Sequence, residues 1–324
     1  MQSFAYVNAT SVDKVASLLG RTWDEAQVIA GGTDLVGELK EHLISPKRVV
    51  NLKTIPGLSY IRQDAVALRI GALTTIADIE SNPIVQKQFA ALSQAAMVIA
   101  SPQIRNVGTI GGNICQRPRC WYYRSEDFPC LKKGGDRCYA VAGINRYHAI
   151  FGGGPSYIVH PSDSAPALMA LNGRVKIMTS TGPKEVGMDD FFTLPETSVR
   201  RENILKPNEI ITEIILPNPT PNAKSLYLKV RERQSIDFAL VSVAAMLTVV
   251  NGVCQEARIV LGGVAPIPWR TPDAETFLRG KKISEAVANS AAEAALEGAK
   301  PMRDNAYKVT IAKALVRRAV MALG

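Results

Sequence analysis

Histidine is scarce in this chain, with three among 324 residues, and His42, His148 and His160 are too dispersed to lay out a histidine-based metal centre; their default place is the surface or a hydrogen-bonded core. Also missing are the Gly-x-Ser-x-Gly elbow of serine hydrolases, the His-Glu-x-x-His helix of zinc peptidases and a phosphate-binding P-loop. Hydrolytic and kinase chemistries therefore have no residues to run on. The longest apolar run, Phe238 to Val250, covers 13 residues and contains Ser242 and Thr248, short of the roughly 20 that a membrane helix needs. Met1 to Tyr6 lacks the basic start and apolar core of a secretory signal. These absences predict a cytoplasmic chain without a membrane span. Aromatic residues make up only 6% of it, and the net charge of +9 is scattered, with no aromatic-studded basic stripe. Nucleic acid is not expected as a partner, whereas an acidic protein or an anionic substrate suits the same charge.

What is present is concentrated. Of five cysteines, Cys115, Cys120, Cys130 and Cys138 fall in one stretch with the spacing Cys-x4-Cys-x9-Cys-x7-Cys, while Cys254 stands apart as a small residue at a strand start. An odd count in a reducing compartment argues against a disulfide framework. No pair has the Cys-x2-Cys knuckle usual in zinc ribbons, so tetrahedral zinc is disfavoured; an iron-sulfur centre tolerates wider and irregular loops. From spacing alone iron-sulfur, zinc and no metal all stay open, with iron-sulfur ahead. Arg117, Arg119, Arg124, Lys132, Lys133, Arg137 and Arg146 outnumber Glu126, Asp127 and Asp136 in the same stretch. Such a surplus suits an anionic thiolate centre, or for Lys132 and Lys133 a merely solvated loop. Trp121, Tyr122 and Tyr123 either shield the centre from water or pack as ordinary loop residues.

The chain is long for one core, and an α/β (α+β) fold class with three units follows from the pattern. In residues 1–55, Ser11 can cap a helix through Val12, Val15, Leu18 and Leu19 that stops at Gly20; then come a strand at Ala26 to Ala30, a Gly31-Gly32-Thr33 turn, a helix from Asp34 through Leu43, and a strand at Arg48 to Lys53. Residues 56–216 offer a strand at Val66 to Ala72, a helix capped by Thr74 or Thr75, a longer helix from Ile84 to Ala100, and strands at Ser156 to Val159, Val175 to Met178 and Ile210 to Leu216. Three prolines in Pro217 to Pro221 mark a linker. Residues 223–324 form the third unit, with strands at Phe238 to Val250 and Ala257 to Val264 and helices at Ile283 to Gly298 and Tyr307 to Leu323.

Two glycine turns, Ala30-Gly31-Gly32-Thr33-Asp34-Leu35 and Thr109-Ile110-Gly111-Gly112-Asn113, are not the Gly-x-Gly-x-x-Gly of a dinucleotide fold. Glycine still lets main-chain N–H groups approach a pyrophosphate closely. Read alone, the pair is equally two tight strand-to-helix turns.

Taken with His160-Pro161-Ser162-Asp163 and Asp237-Phe238-Ala239-Leu240-Val241-Ser242-Val243-Ala244, the two turns resemble the medium, FAD-binding subunit of the xanthine oxidase family of molybdenum enzymes, in the family's order and over nearly the whole chain. The resemblance implies a two-part FAD-binding domain, residues 1–55 and 56–216, plus a C-terminal flavoprotein domain at 223–324. It implies FAD contacts at Ile29, Ala30, Gly31, Gly32, Thr33, Asp34 and Leu35, at Thr109, Gly111, Gly112 and Asn113, and at Asp163, with Ile204, Leu205 and Lys229 near the adenine or flavin. An insertion at about 114–154 carries the cysteines and resembles that of 4-hydroxybenzoyl-CoA reductase beta subunits, which hold a four-iron four-sulfur cluster; some periplasmic aldehyde oxidoreductases carry a related loop. The fourth cysteine of those relatives lies near Gly154 to Tyr157, where this chain has none, so the resemblance implies the ligand set Cys115, Cys120, Cys130 and Cys138. It further implies an electron relay from ferredoxin through the cluster and FAD to a small two-iron two-sulfur subunit and a large molybdenum-cofactor subunit, an oxidoreductase inactive alone. The rivals are a hydroxylase subunit passing electrons to NAD or quinone, and a zinc-stapled binding module.

Overall fold

Strand, glycine turn and helix follow one another at the N-terminus as expected in the computed structural model, which describes residues 1–324. Strands β1 (Ala5–Asn8), β2 (Ala26–Ile29) and β3 (Arg48–Asn51) form a parallel sheet in the order β1-β3-β2. The helix Val12–Leu19 buries Val15 and Leu19 against this sheet and ends at Gly20, whose φ of +83° side-chain-bearing residues rarely adopt. The second helix, Leu35–Lys40, follows the glycine turn directly.

Five strands build the middle of the molecule: β4 (Ile61–Gln63), β5 (Ala67–Gly71), β6 (Arg174–Thr179), β7 (Gly182–Gly187) and β8 (Ile210–Pro217). They are antiparallel, in the order β4-β5-β8-β6-β7. Alternate residues Leu68 and Ile70, Val175 and Ile177, Ile214 and Leu216 enter one core with Ile76, Leu92, Ile110 and Leu168 from the helices Ile76–Ser81, Ala90–Met97, Ile110–Ile114 and Ser164–Ala170. Successive side chains of a strand point to opposite faces, so these alternate residues share one side of the sheet.

The C-terminal sheet is covered on both faces. Its strands β9 (Ala223–Val230), β10 (Val241–Val250), β11 (Val253–Gly262) and β12 (Trp269–Arg270) run antiparallel in the order β12-β11-β10-β9. Val243, Ala245, Leu247, Ile259 and Leu261 face the helices Pro272–Leu278, Glu285–Ala295 and Tyr307–Leu323, whereas Tyr227, Ala244 and Val260 belong to the core of the middle sheet. A strand buried on both sides reads as an unbroken apolar run, which is how β10 appears in the sequence.

Some expectations fail. The helix at Ile84 to Ala100 is two helices, Pro83–Gln88 and Ala90–Met97, broken at Phe89, whose φ of −127° leaves helical space while its ring is buried. Asn82 caps the first of them, accepting from the Ile84 and Val85 amides. Ser156 to Val159 is not a strand; no neighbouring strand offers a ladder, and the Ala149 amide takes the Tyr157 carbonyl instead. Strand β9, unread in the sequence beside the prolines, is set by pairing with β10.

Candidate functional site

The two glycine turns meet. A Cβ on Gly31 would lie 2.2 Å from the Val107 carbonyl oxygen and 2.9 Å from Gly108 Cα, so only glycine lets the first turn rest on the backbone leading into the second. Gly111 is similarly pressed on Ala72, where a Cβ would come within 3.0 Å of the carbonyl oxygen. Between and beyond the turns opens a cavity of about 960 Å³ walled by Ile29 to Leu35, by Gly108, Thr109 and Gly111 to Asn113, and by Asp163 and Leu205. Within the second turn, Thr109 Oγ1 accepts the Gly112 amide at 3.2 Å and Ser162 Oγ donates to Asn113 Oδ1 at 2.6 Å. In the first, the amides of Gly32, Thr33 and Asp34 find no acceptor in the chain. Unpaired amides beside a cavity of this size fit a pyrophosphate, so the residues present suit FAD.

Ile204 and Lys229 stand outside that wall. Ile204 packs on the middle core. Lys229, expected near the flavin, gives its ammonium to Asp163 Oδ2 at 2.7 Å and to the Val98 carbonyl at 3.2 Å, while Tyr227 donates its hydroxyl to Asp163 Oδ1 at 2.6 Å. Lys229 therefore positions Asp163 rather than touching the cavity. With all three groups buried, burial and then the Asp163 charge push the Tyr227 phenol far above its ordinary range.

The insertion is bolted to the first turn. Asp34 starts the second helix without capping it; its carboxylate instead accepts the Arg117 amide at 2.6 Å and the Arg124 guanidinium at 2.6 Å, and pairs with Arg119 at 2.8 Å. Deeper in, Tyr123 donates to Glu38 at 2.5 Å, Arg117 Nε donates to the Tyr123 hydroxyl at 3.2 Å, and Glu202 sits between Lys132 and Arg117. Arg117 Nη1 is 3.1 Å from Glu202 Oε2, close enough for charge attraction but not aligned for a hydrogen bond. Burial drives the Glu38 carboxyl above its usual range. For Glu202, burial also pushes upward, but the Arg117 and Lys132 charges outweigh it and hold the carboxyl low. Lys132 and Lys133 are thus not a solvated pair: Lys132 is buried, and Lys133 donates to the Tyr122 and Ser125 carbonyls. Arg117, Arg124 and Lys132 thus spend their charge on pairing inside the molecule, whereas Arg137 and Arg146 stay exposed. The chain offers no local sign of Glu38 or Glu202, because each is defined by groups more than sixty residues away.

The cysteines do not form one set. No three cysteine, histidine or acidic side chains converge tightly enough for a single metal ion, which leaves the zinc staple without geometric support. Cys120 feels the charges of Cys138 and Cys130, and the Tyr122 and Tyr123 amides point at its sulfur; burial is the larger influence and raises the thiol to about 11. Cys115 is elsewhere. It lines the cavity and packs on the middle core, the only charge acting on it is Glu202, and burial raises it to about 12. The helix Ile110–Ile114 ends just before Cys115, whose side chain packs against the middle core. Trp121 and Tyr122 surround His148 with ring centroids 5.9 and 6.1 Å away, whereas Tyr123 turns to the cavity. The far end of the insertion is clamped by the C-terminal unit: Asn305 Nδ2 donates to the His148 carbonyl, Asp304 and Asn145 exchange backbone-to-side-chain bonds, and buried Lys308 donates to the Tyr147 and Gly263 carbonyls. Nothing in the sequence marks these clamps.

Comparison with known proteins agrees with this geometry. The family described as "FAD binding domain in molybdopterin dehydrogenase" matches residues 2–219, and "CO dehydrogenase flavoprotein C-terminal domain" matches residues 226–323. The aldehyde oxidoreductase FAD-binding subunit PaoB of Escherichia coli is 35% identical over 97% of this chain and 96% of its own; the carbon monoxide dehydrogenase medium chain of Hydrogenophaga pseudoflava is 28% identical over 98% and 96%. A solved structure of the Hydrogenophaga pseudoflava carbon monoxide dehydrogenase superposes with a TM-score of 0.79 at 28% identity, covering 99% of this chain and 97% of that one, and quinoline 2-oxidoreductase from Pseudomonas putida 86 does so at 0.76 and 26%, with 99% and 97% covered. With both glycine turns, the shared cavity and the C-terminal sheet in place, the chain belongs to the FAD-binding medium subunits of the xanthine oxidase family of molybdenum enzymes, those resembling carbon monoxide dehydrogenase.

Proposed function

We propose that this chain is the FAD-carrying electron-transfer subunit of a molybdenum hydroxylase that oxidises an aldehyde. The observation that carries the flavin part is the meeting of the two glycine turns around unpaired amides. Support for the aldehyde comes from the 35% identity to an aldehyde oxidoreductase subunit. Bound FAD would supply a carrier that exchanges electrons singly or in pairs. The chain's own part is to hold and orient: the amides of Gly32, Thr33 and Asp34 would take the pyrophosphate, Asp163 is fixed by Lys229 and Tyr227, and the buried Glu38 and Tyr123, with the partly buried Arg117, line the wall. This reading gives residues 1–55 and 56–216 to FAD binding and 223–324 to the C-terminal flavoprotein unit, and it places the complex in the cytoplasm; no helix is long and apolar enough to cross a membrane.

The same reading assigns a four-iron four-sulfur cluster to the insertion, where Cys120 and the two thiols whose charges it feels, Cys130 and Cys138, would be ligands and the cluster would supply a one-electron carrier. Its partners are a large molybdenum-cofactor subunit and a small two-iron two-sulfur subunit. A 4-hydroxybenzoyl-CoA reductase fed by ferredoxin is the second reading, favoured by the cysteine insertion. Against ferredoxin docking on Arg124 and Lys132 stands their burial in ion pairs.

The deciding experiment is to purify the complex anaerobically, record its absorption spectrum, assay flavin, iron and acid-labile sulfide, and then compare aldehydes with an artificial acceptor against 4-hydroxybenzoyl-CoA with reduced ferredoxin. Turnover of aldehyde alone supports the first reading, and turnover of the thioester alone replaces it with the second. Protein without flavin ends both.

A further inference from the structure

The cavity reaches further than the glycine turns. Along β2 it passes from Gly31, just beyond the strand's C-terminal end, to Trp23, ahead of its first residue, with Val28, Ile29, Leu52, Leu205 and Ile210 as an apolar wall. Ala26 to Ile29 alone spans about 10 Å at the rise of a strand. At that far end the central carbon of the Arg201 guanidinium lies 3.7 Å from the centre of the Trp23 ring, and both side chains line the cavity. Trp23 belongs to residues 1–55 and Arg201 to 56–216, so the pair spans the seam between the two parts. The backbone at each is fixed: the Arg201 amide donates to Ser198 Oγ at 3.3 Å, its carbonyl accepts from Thr193 Oγ1 at 3.0 Å, and Gln27 Nε2 donates to the Trp23 carbonyl at 2.9 Å. The guanidinium itself is half-buried, yet it makes no hydrogen bond and no ion pair; the adjacent Glu202 is taken by Lys132 and Arg117. A planar guanidinium has two faces for flat rings, and one indole takes only one of them.

From the first turn the wall also runs the other way, onto the second turn and, through the Ser162–Asn113 bond, to Asp163 with its partners Lys229 and Tyr227. FAD carries a flat ring on either side of its pyrophosphate. The isoalloxazine exchanges protons at its ring nitrogens along with electrons, and the Asp163 arm is the one with ionisable groups. Adenine needs stacking, which the Trp23 arm offers.

We propose that Arg201 and Trp23 form the adenine seat, the base stacking on the free face of the guanidinium that Trp23 backs, and that this contact makes the cavity select FAD over FMN. This rests on the reading that the cavity holds FAD. A cation between an indole and a purine is attracted to both rings, and FMN, which lacks the adenylate, gains nothing from it.

The test uses the complete complex, freed of flavin, in wild-type form and as Arg201→Ala, Arg201→Lys and Trp23→Leu. FAD and FMN are titrated into each, bound flavin is measured by ultrafiltration, and ADP is added as a competitor. The proposal expects the FAD dissociation constant to rise about tenfold in Arg201→Ala and Trp23→Leu, and the ADP inhibition constant with it, while FMN binds as in wild type. Arg201→Lys keeps the charge but loses the plane, and it too should weaken FAD alone. A ratio of FAD to FMN affinity that stays at the wild-type value in all three variants overturns the proposal. That holds whether both affinities persist or both fall together, since the pair would then only fasten the two parts of the domain. Wild-type complex that takes up neither flavin ends the FAD reading itself, an outcome distinct from an unchanged ratio.

Discussion

Changing Glu202 to Gln removes the one negative charge lying between Lys132 and Arg117. The Glu202 and Lys132 side chains are 4% and 3% exposed, so water cannot take its place. Stripping one partner from a buried pair costs about 3–5 kcal/mol, because the remaining charge stays desolvated. The lower end applies here: burial already pulls the Lys132 ammonium toward deprotonation, and Arg117 keeps Glu38 at 3.8 Å. A loss of about 3 kcal/mol corresponds to roughly 6–12 °C in Tm for a domain of this size. Differential scanning calorimetry of the purified complex measures it, and limited proteolysis should find the insertion opened first. The Glu202→Gln, Lys132→Met double variant should recover part of the loss, since removing both members leaves fewer buried charges unpaired. The pH dependence has a definite sign. Glu202 titrates below its ordinary value of 4.5 when folded, so its contribution is complete above about 4.5 and fades as pH falls through the lower folded value. Glu202→Gln should lack that acid loss. A Tm change below about 2 °C, with an unaltered acid limb, would refute the buried-pair account.

His160 is buried, and burial lowers its pKa to about 4 from 6.5, so its contribution is complete above about 6.5 and is lost on acidification toward 4, up to about 3 kcal/mol; urea midpoints at pH 7 and 4.5 should converge in His160→Gln relative to wild type, and identical pH dependence would contradict this. Gly31→Ala places a methyl 2.2 Å from the Val107 carbonyl oxygen, which forces the two turns apart; flavin content of the purified complex should fall at least tenfold, and full flavin would show that the turns need not touch. Asp34→Ala strands the Arg117 amide and two guanidinium groups, each charge-assisted bond contributing about 1.5–3 kcal/mol; hydrogen exchange across residues 117–124 should accelerate at least tenfold, with Asp64→Ala, an exposed ion pair, as the unaffected comparison.

Local chemistry determined a good deal by itself. The apolar spacing of Val12 to Leu19, the glycine at its end, the helix cap read as Thr74 or Thr75 and found at Thr75, and the apolar runs of β5, β6 and β8 are readable because each depends on neighbours a few residues away. Both glycine turns were visible for the same reason. What they do to each other was not, since the contact of Gly31 with Val107 joins segments some seventy-five residues apart. Tertiary structure alone decided that Cys115 turns to the core, that Lys229 serves Asp163, that Lys132 is buried against Glu202, and that His148, dismissed from the sequence as one of three scattered histidines, stands against Cys120. Spacing along a chain fixes which side chains share a helix face or a strand face; in a long loop without regular structure it fixes no direction at all, and the partners that pack around the loop set where each side chain points.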